Sequence, residues 1–130
     1  MSAGLDLAPV PEDGVRIDAE LREGVLRITM TGAVEMRDPG AVLNPFWESV
    51  DASVSRLGIA RTEVDLSGVS FMNSSGLMTL VRWITRPHEA GENAGCRVTL
   101  RYDEGVTWQR TNVPILARLS PAFVALERID

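Results

Sequence analysis

The stretch Val64-Asp65-Leu66-Ser67-Gly68-Val69-Ser70-Phe71-Met72-Asn73-Ser74-Ser75-Gly76-Leu77 decides the fold. Glu63 to Val69 has the mix of apolar and small residues expected of a short buried strand, and Ser70 to Asn73 reads as a tight loop. Leu77, Leu80, Val81 and Ile84 then recur at helical spacing, so a helix is expected from Ser74 or Ser75 to residue 86, closed by Pro87. Strand, loop and helix start in direct succession place small hydroxyls where free backbone N–H groups and the positive end of the helix dipole converge. A phosphate suits that position, and phosphoserine brings about −1.5 to −2 charges at neutral pH. From spacing alone, a serine there is more often an N-cap contributing about 1 kcal/mol.

Upstream, Val15, Ile17 and Ala19 alternate with charged neighbours, Glu23-Gly24 turns the chain, and Val25 to Met30 alternates again. This predicts a hairpin with strands over 15–21 and 25–31. Asn44-Pro45 pairs a capping residue with the proline favoured at a first helical position, and Leu43, Trp47, Val50, Val54 and Leu57 form one stripe ending at Gly58. A helix over 45–57 follows. Downstream, 96–102 alternates as a strand, Val106 to Leu119 reads as a weaker helix interrupted near Pro114, and Phe123 to Ile129 suits an edge strand or a docked helical turn. Residues 1–14, with Pro9, Pro11 and Gly14, read as a loose arm before a single domain over 15–130. Strands alternating with helices predict an α/β fold, a small mixed β-sheet of four to five strands packed with helices.

The same stretch carries a resemblance. Asp65, Leu66, Ser67 and Val69, followed by Ser74, Ser75, Gly76 and Leu77, resemble the D-L-S-x-V strand and D-S-S-G-L helix start of the STAS family, the sulfate-transporter and anti-sigma-factor-antagonist domain. Thr31-Gly32-Ala33-Val34-Glu35 is similar to a degenerate form of the family's G-E-L-D, and the order of elements agrees from Val15 to Tyr102. The resemblance implies a STAS-like fold and a regulatory protein that acts by binding. Its partner would be an ATP-dependent anti-sigma factor kinase, any ATP belonging to that kinase, and phosphate on Ser74 would end the binding. By the same resemblance the contact surface would combine Asn73, Ser75, Gly76 and Met78 with Glu35. Asn73 stands where the family has aspartate, which removes a charge from the site, and Asn73→Asp is expected to bring it closer to the kinase-recognised pattern. The alternative is a STAS subunit of an ABC-type membrane transporter or of a signalling scaffold, with Ser74 a cap and no phosphorylation.

Composition excludes much else. The 130 residues are 45% hydrophobic and 24% charged, enough for one core without disulfides or metal. All 13 basic residues are arginine, so neither a Walker A lysine nor a Schiff-base lysine exists. A net charge of −5 argues against phosphate-dominated nucleic-acid binding. No apolar run approaches the ~20 residues of a membrane span, and the lone Cys96 fits a reducing cytoplasm. His88 reads as a solvated loop residue, about 20 Å from Ser74 along a helix, and no G-x-S-x-G elbow accompanies the serines. With one histidine and no clustered carboxylates, no catalytic residues, metal or cofactor are expected. Of Trp47, Trp83 and Trp108, Trp83 lies off the Leu80/Ile84 face, which leaves it either tucked against another element or free to anchor a partner.

Overall fold

Apolar alternation on both sides of Glu23-Gly24 generates the first half of a six-stranded sheet. The computed structural model describes residues 10–12, 14–90, 97–121 and 123–129, with backbone alone at 10–12 and 86–90. The elements run β1 (Val10–Glu12), β2 (Val15–Arg22), β3 (Val25–Val34), α1 (Gly40–Leu57), β4 (Arg61–Met72), α2 (Ser74–Ala90), β5 (Arg97–Tyr102), α3 (Thr107–Leu119) and β6 (Val124–Arg128). Glu23 (φ 53°) and Gly24 (φ 80°) are both left-handed, the two-residue turn whose twist matches a hairpin, and Arg22 lies opposite Val25. The sheet keeps chain order from β1 to β6, antiparallel over β1, β2 and β3 and parallel from β3 onward.

Parallel neighbours need crossovers, and α1, α2 and α3 supply one each. Because every crossover steps the same way across the sheet, right-handed connections put all three helices on one face. That face is apolar: Ile17, Leu26, Ile28, Met30, Val64, Leu66, Val98 and Leu100 are all buried. The opposite face carries rows of charge in register, Glu20, Arg27, Glu63 and Thr99 in one and Asp18, Thr29, Asp65, Arg101 and Glu127 in the next. Glu63, its side chain only 8% exposed, is held by Arg61 at 2.8 Å and Arg27 at 3.3 Å, while Arg101 bonds Glu127 at 2.6 Å. A sheet with one packed and one wet face explains the hydrophobic-in, polar-out alternation of β2 and β5.

Several boundaries depart from the sequence expectation. Of the arm expected over 1–14, residues 1–9 and 13 lie outside the described residues, and Val10–Glu12 form β1, which pairs with β2 and brings the strands among the described residues to six; three residues that include Pro11 are too short to display a period. Helix α1 starts at Gly40, not Pro45, since Leu43 N–H already closes a turn on Pro39 O at 2.8 Å. Pro45 lies inside it on the exposed side, where water can reach the Ala41 carbonyl that proline leaves without a donor. Neither Pro87 nor Pro114 stops its helix: α2 runs on to Ala90, taking in His88, and α3 is continuous. Packing of each helix body against the sheet fixes its course, and one missing bond does not redirect it. The final segment is the strand β6, parallel to β5. Cys96 lies outside the described residues.

The largest departure is β4, which runs through Met72 where a loop over Ser70 to Asn73 was expected. Its register against β3 slips twice, between Asp65 and Gly68 and between Val69 and Phe71. The inward residues are therefore Leu66, Val69 and Met72, three apart, and a period of two is lost. Asp65 shapes the first irregularity, its Oδ1 accepting from Ser67 N–H (2.9 Å) and Ser67 Oγ–H (2.5 Å). Carbonyls turned out of the ladder find partners on α3: Gln109 Nε2–H donates to Leu66 O (2.7 Å) and Val69 O (2.9 Å), and Trp108 Nε1–H donates to Val69 O (2.7 Å). Trp83 is 4% exposed and stacks on Trp47 with centroids 4.5 Å apart, joining α2 to α1. Its Nε1–H donates to Asp51 Oδ1 at 2.9 Å, so Trp83 is a packing residue and the partner-anchor alternative falls.

Candidate functional site

The start of α2 is built around Asn73. Its side-chain Oδ1 accepts from Gly76 N–H at 2.8 Å, the geometry of an N-cap bonding the third helical residue, and its carbonyl accepts the first helical bond from Leu77 N–H at 3.0 Å. Asn73 is thus the cap, and Ser74 and Ser75, the expected alternatives, are the first two helical residues. Both are exposed. N–H groups at such positions have no acceptor within the helix.

Asn73 also reaches the other way. Its backbone N–H donates to Val34 O at 2.9 Å, and its Nδ2–H donates to Met36 O at 3.0 Å. Glu35, exposed, lies between the two residues so held, at the end of β3. The loop after β3 and the first turn of α2 are thereby brought together. Only an amide in one orientation serves both contacts, acceptor toward Gly76 N–H and donor toward Met36 O. Gly76 is buried and tightly enclosed: a Cβ there would lie 2.7 Å from Val34 Cγ1, 3.2 Å from Asn73 Oδ1 and 3.2 Å from Met72 Cγ. The turn is tied further into the core by Thr79, whose hydroxyl donates to Gly76 O (2.8 Å) and accepts from Trp47 Nε1–H (3.2 Å).

Two large apolar side chains close to the cap in sequence are exposed. Met78, one turn into α2, is 47% exposed and so is not the core methionine that its residue type favours. Phe71, on the strand just before the cap, is also 47% exposed. Sequence reading gave Phe71 no role, because the slipped register of β4 hides which face it occupies. The contribution of the Met36 carbonyl was equally invisible, being main chain and 37 residues from its donor.

No protein-family model matches the chain, and no curated protein matches its sequence. Its likeness is to solved structures. One is an anti-sigma factor antagonist from Mycobacterium paratuberculosis, 20% identical, with a TM-score of 0.56 over 91% of this chain and 90% of that one. Another is a chain in the complex of the diguanylate cyclase SiaD with its activator SiaC from Pseudomonas aeruginosa, 16% identical, with a TM-score of 0.70 over 94% of this chain and 99% of that one. A third is the anti-sigma factor antagonist SpoIIAA in its unphosphorylated form, 14% identical, with a TM-score of 0.55 over 88% and 89%. The fold is therefore STAS-like, that of the anti-sigma factor antagonists. Among the described residues no helix is long and apolar enough to cross a membrane.

Proposed function

We propose that this protein is a STAS-like regulatory protein that acts in the cytoplasm by binding a protein partner, without catalysis or cofactor of its own, through the surface formed by Glu35, Asn73, Ser75 and Met78, with Gly76, buried and so not the contact residue expected, shaping the turn beneath it. The partner is an anti-sigma factor kinase, and phosphorylation of Ser74 controls its binding. The observation that carries this reading is the exposure of Ser74 at the first position of a helix capped by another residue, beside a loop fixed against it. Since Ser74 is not the cap, adding phosphate removes no capping bond. The helix gains roughly 0.3–1 kcal/mol from a negative charge at its N-terminus. An interface formed around the neutral hydroxyl loses far more, because each 1.4 kcal/mol is about a factor of ten in affinity.

A second reading is favoured by Asn73 and by the SiaD–SiaC likeness: a STAS-like activator or scaffold subunit for a signalling enzyme or a transporter ATPase, with no phosphate on Ser74. Incubation with ATP and a candidate anti-sigma factor kinase from the same genome, followed by mass spectrometry and affinity measurement for wild type, Ser74→Asp and Ser74→Ala, separates the two. Phosphate on Ser74, with binding weakened in Ser74→Asp and kept in Ser74→Ala, supports the first reading. Absence of phosphate together with equal binding by Ser74→Asp and wild type supports the second.

A further inference from the structure

We infer that Asn73 is a positioning residue whose amide, as distinct from the carboxylate of the D-S-S-G pattern, locks the loop at Met36 against the first turn of α2. Its meaning for a partner rests on the reading above, but the lock itself is a property of the free protein. Each polar group of Asn73 has a different partner: N–H to Val34 O, carbonyl to Leu77 N–H, Oδ1 to Gly76 N–H and Nδ2–H to Met36 O. Three of these contacts survive replacement by aspartate, since a carboxylate caps a helix as well as an amide does. The fourth inverts. An ionised carboxylate has acceptors only, so Asp at 73 would set an anionic oxygen about 3 Å from the Met36 carbonyl oxygen, and the loop must move away. Serine, also a good cap, is too short to span to Met36.

The consequence runs against the expectation drawn from family resemblance. Asn73→Asp restores the motif's charge, yet here it frees the loop at Met36, just after Glu35, and leaves the two halves of the surface joined only through the main-chain bond of Asn73 N–H to Val34 O. A partner fitted to this chain would meet a preorganised surface, and binding to such a surface avoids the cost of ordering a loop.

Nitrogen-15 relaxation and amide exchange on the free protein test this. In wild type, residues 35–37 should have order parameters near ~0.85, with the Asn73 carboxamide protons protected from exchange. In Asn73→Asp and Asn73→Ser the same residues should fall below ~0.6 while the Gly76 amide stays protected. Loops that remain equally ordered in both variants would overturn the inference. So would joint loss of loop order and Gly76 protection in Asn73→Asp, which would make Asn73 a cap and nothing more. Unprotected carboxamide protons in wild type would overturn it without any variant. Because no kinase enters the measurement, a loosened loop in a protein that binds no kinase removes only the partner reading.

Discussion

Helices α2 and α3 begin at the same end of the sheet, after successive strands, and use their first turns in opposite ways. In α3 the second and third residues, Trp108 and Gln109, turn inward to the carbonyls of β4, and Val106 before them makes no side-chain cap. In α2 the cap does the anchoring, the third residue is a buried glycine, and the first two are exposed serines. One first turn is committed to satisfying the irregular strand; the other is fixed from behind and left open to solvent. A helix start is left with exposed side chains when its anchoring is delegated to a residue outside the turn.

Mutations should separate the two starts by size of effect. Gln109→Ala removes two donations to buried carbonyls and the acceptor for Asp103 N–H at 2.8 Å. Unsatisfied buried groups cost about 1–3 kcal/mol each, so urea unfolding should report a loss of roughly 3 kcal/mol or more. A loss under about 1 kcal/mol would mean α3 is held by its apolar stripe alone. Asn73→Ala comes next, forfeiting the cap and the Met36 contact, with an expected loss of about 1–3 kcal/mol by the same measurement. Gly76→Ala should lose about 1–2 kcal/mol although alanine is the better helix former, because its methyl meets Val34 and the cap oxygen. A stabilised Gly76→Ala would show that Val34 yields readily.

The smallest effect belongs to the exposed position. Ser74→Asp should change stability by no more than about 0.5–1 kcal/mol, in the stabilising direction, and calorimetry should find that gain reduced at high salt. A marked destabilisation would show that Ser74 is packed, and would blur the contrast between the two starts.

Much of this architecture was legible in the chain. Alternation fixed the hairpin and β5, and Gly58, left-handed at φ 64°, ended α1 where expected. The stretch from Val64 to Leu77 yielded strand followed by helix. What failed were boundaries governed by prolines and by β4, because rules for local backbone preference do not register packing at a distance. Residues Leu66, Val69 and Met72 share a face only because β3 extends to Val34 and the register slips.

The candidate site divides in the same way. Serines at a helix start, the glycine after them and the departure at Asn73 could be read directly, since helix-start chemistry is local and spans four residues. That Asn73 caps, that Phe71 and Met78 are exposed and that the residues on either side of Glu35 bond Asn73 required the tertiary structure. Each depends on contacts between segments far apart in sequence, Asn73 to Met36 across 37 residues and Gln109 to Leu66 across 43. Sequence determined which chemistry stands at the start of α2; only the folded sheet decided which of those groups are used internally and which face outward, because hydrogen-bond partners and burial are set by elements that meet in space.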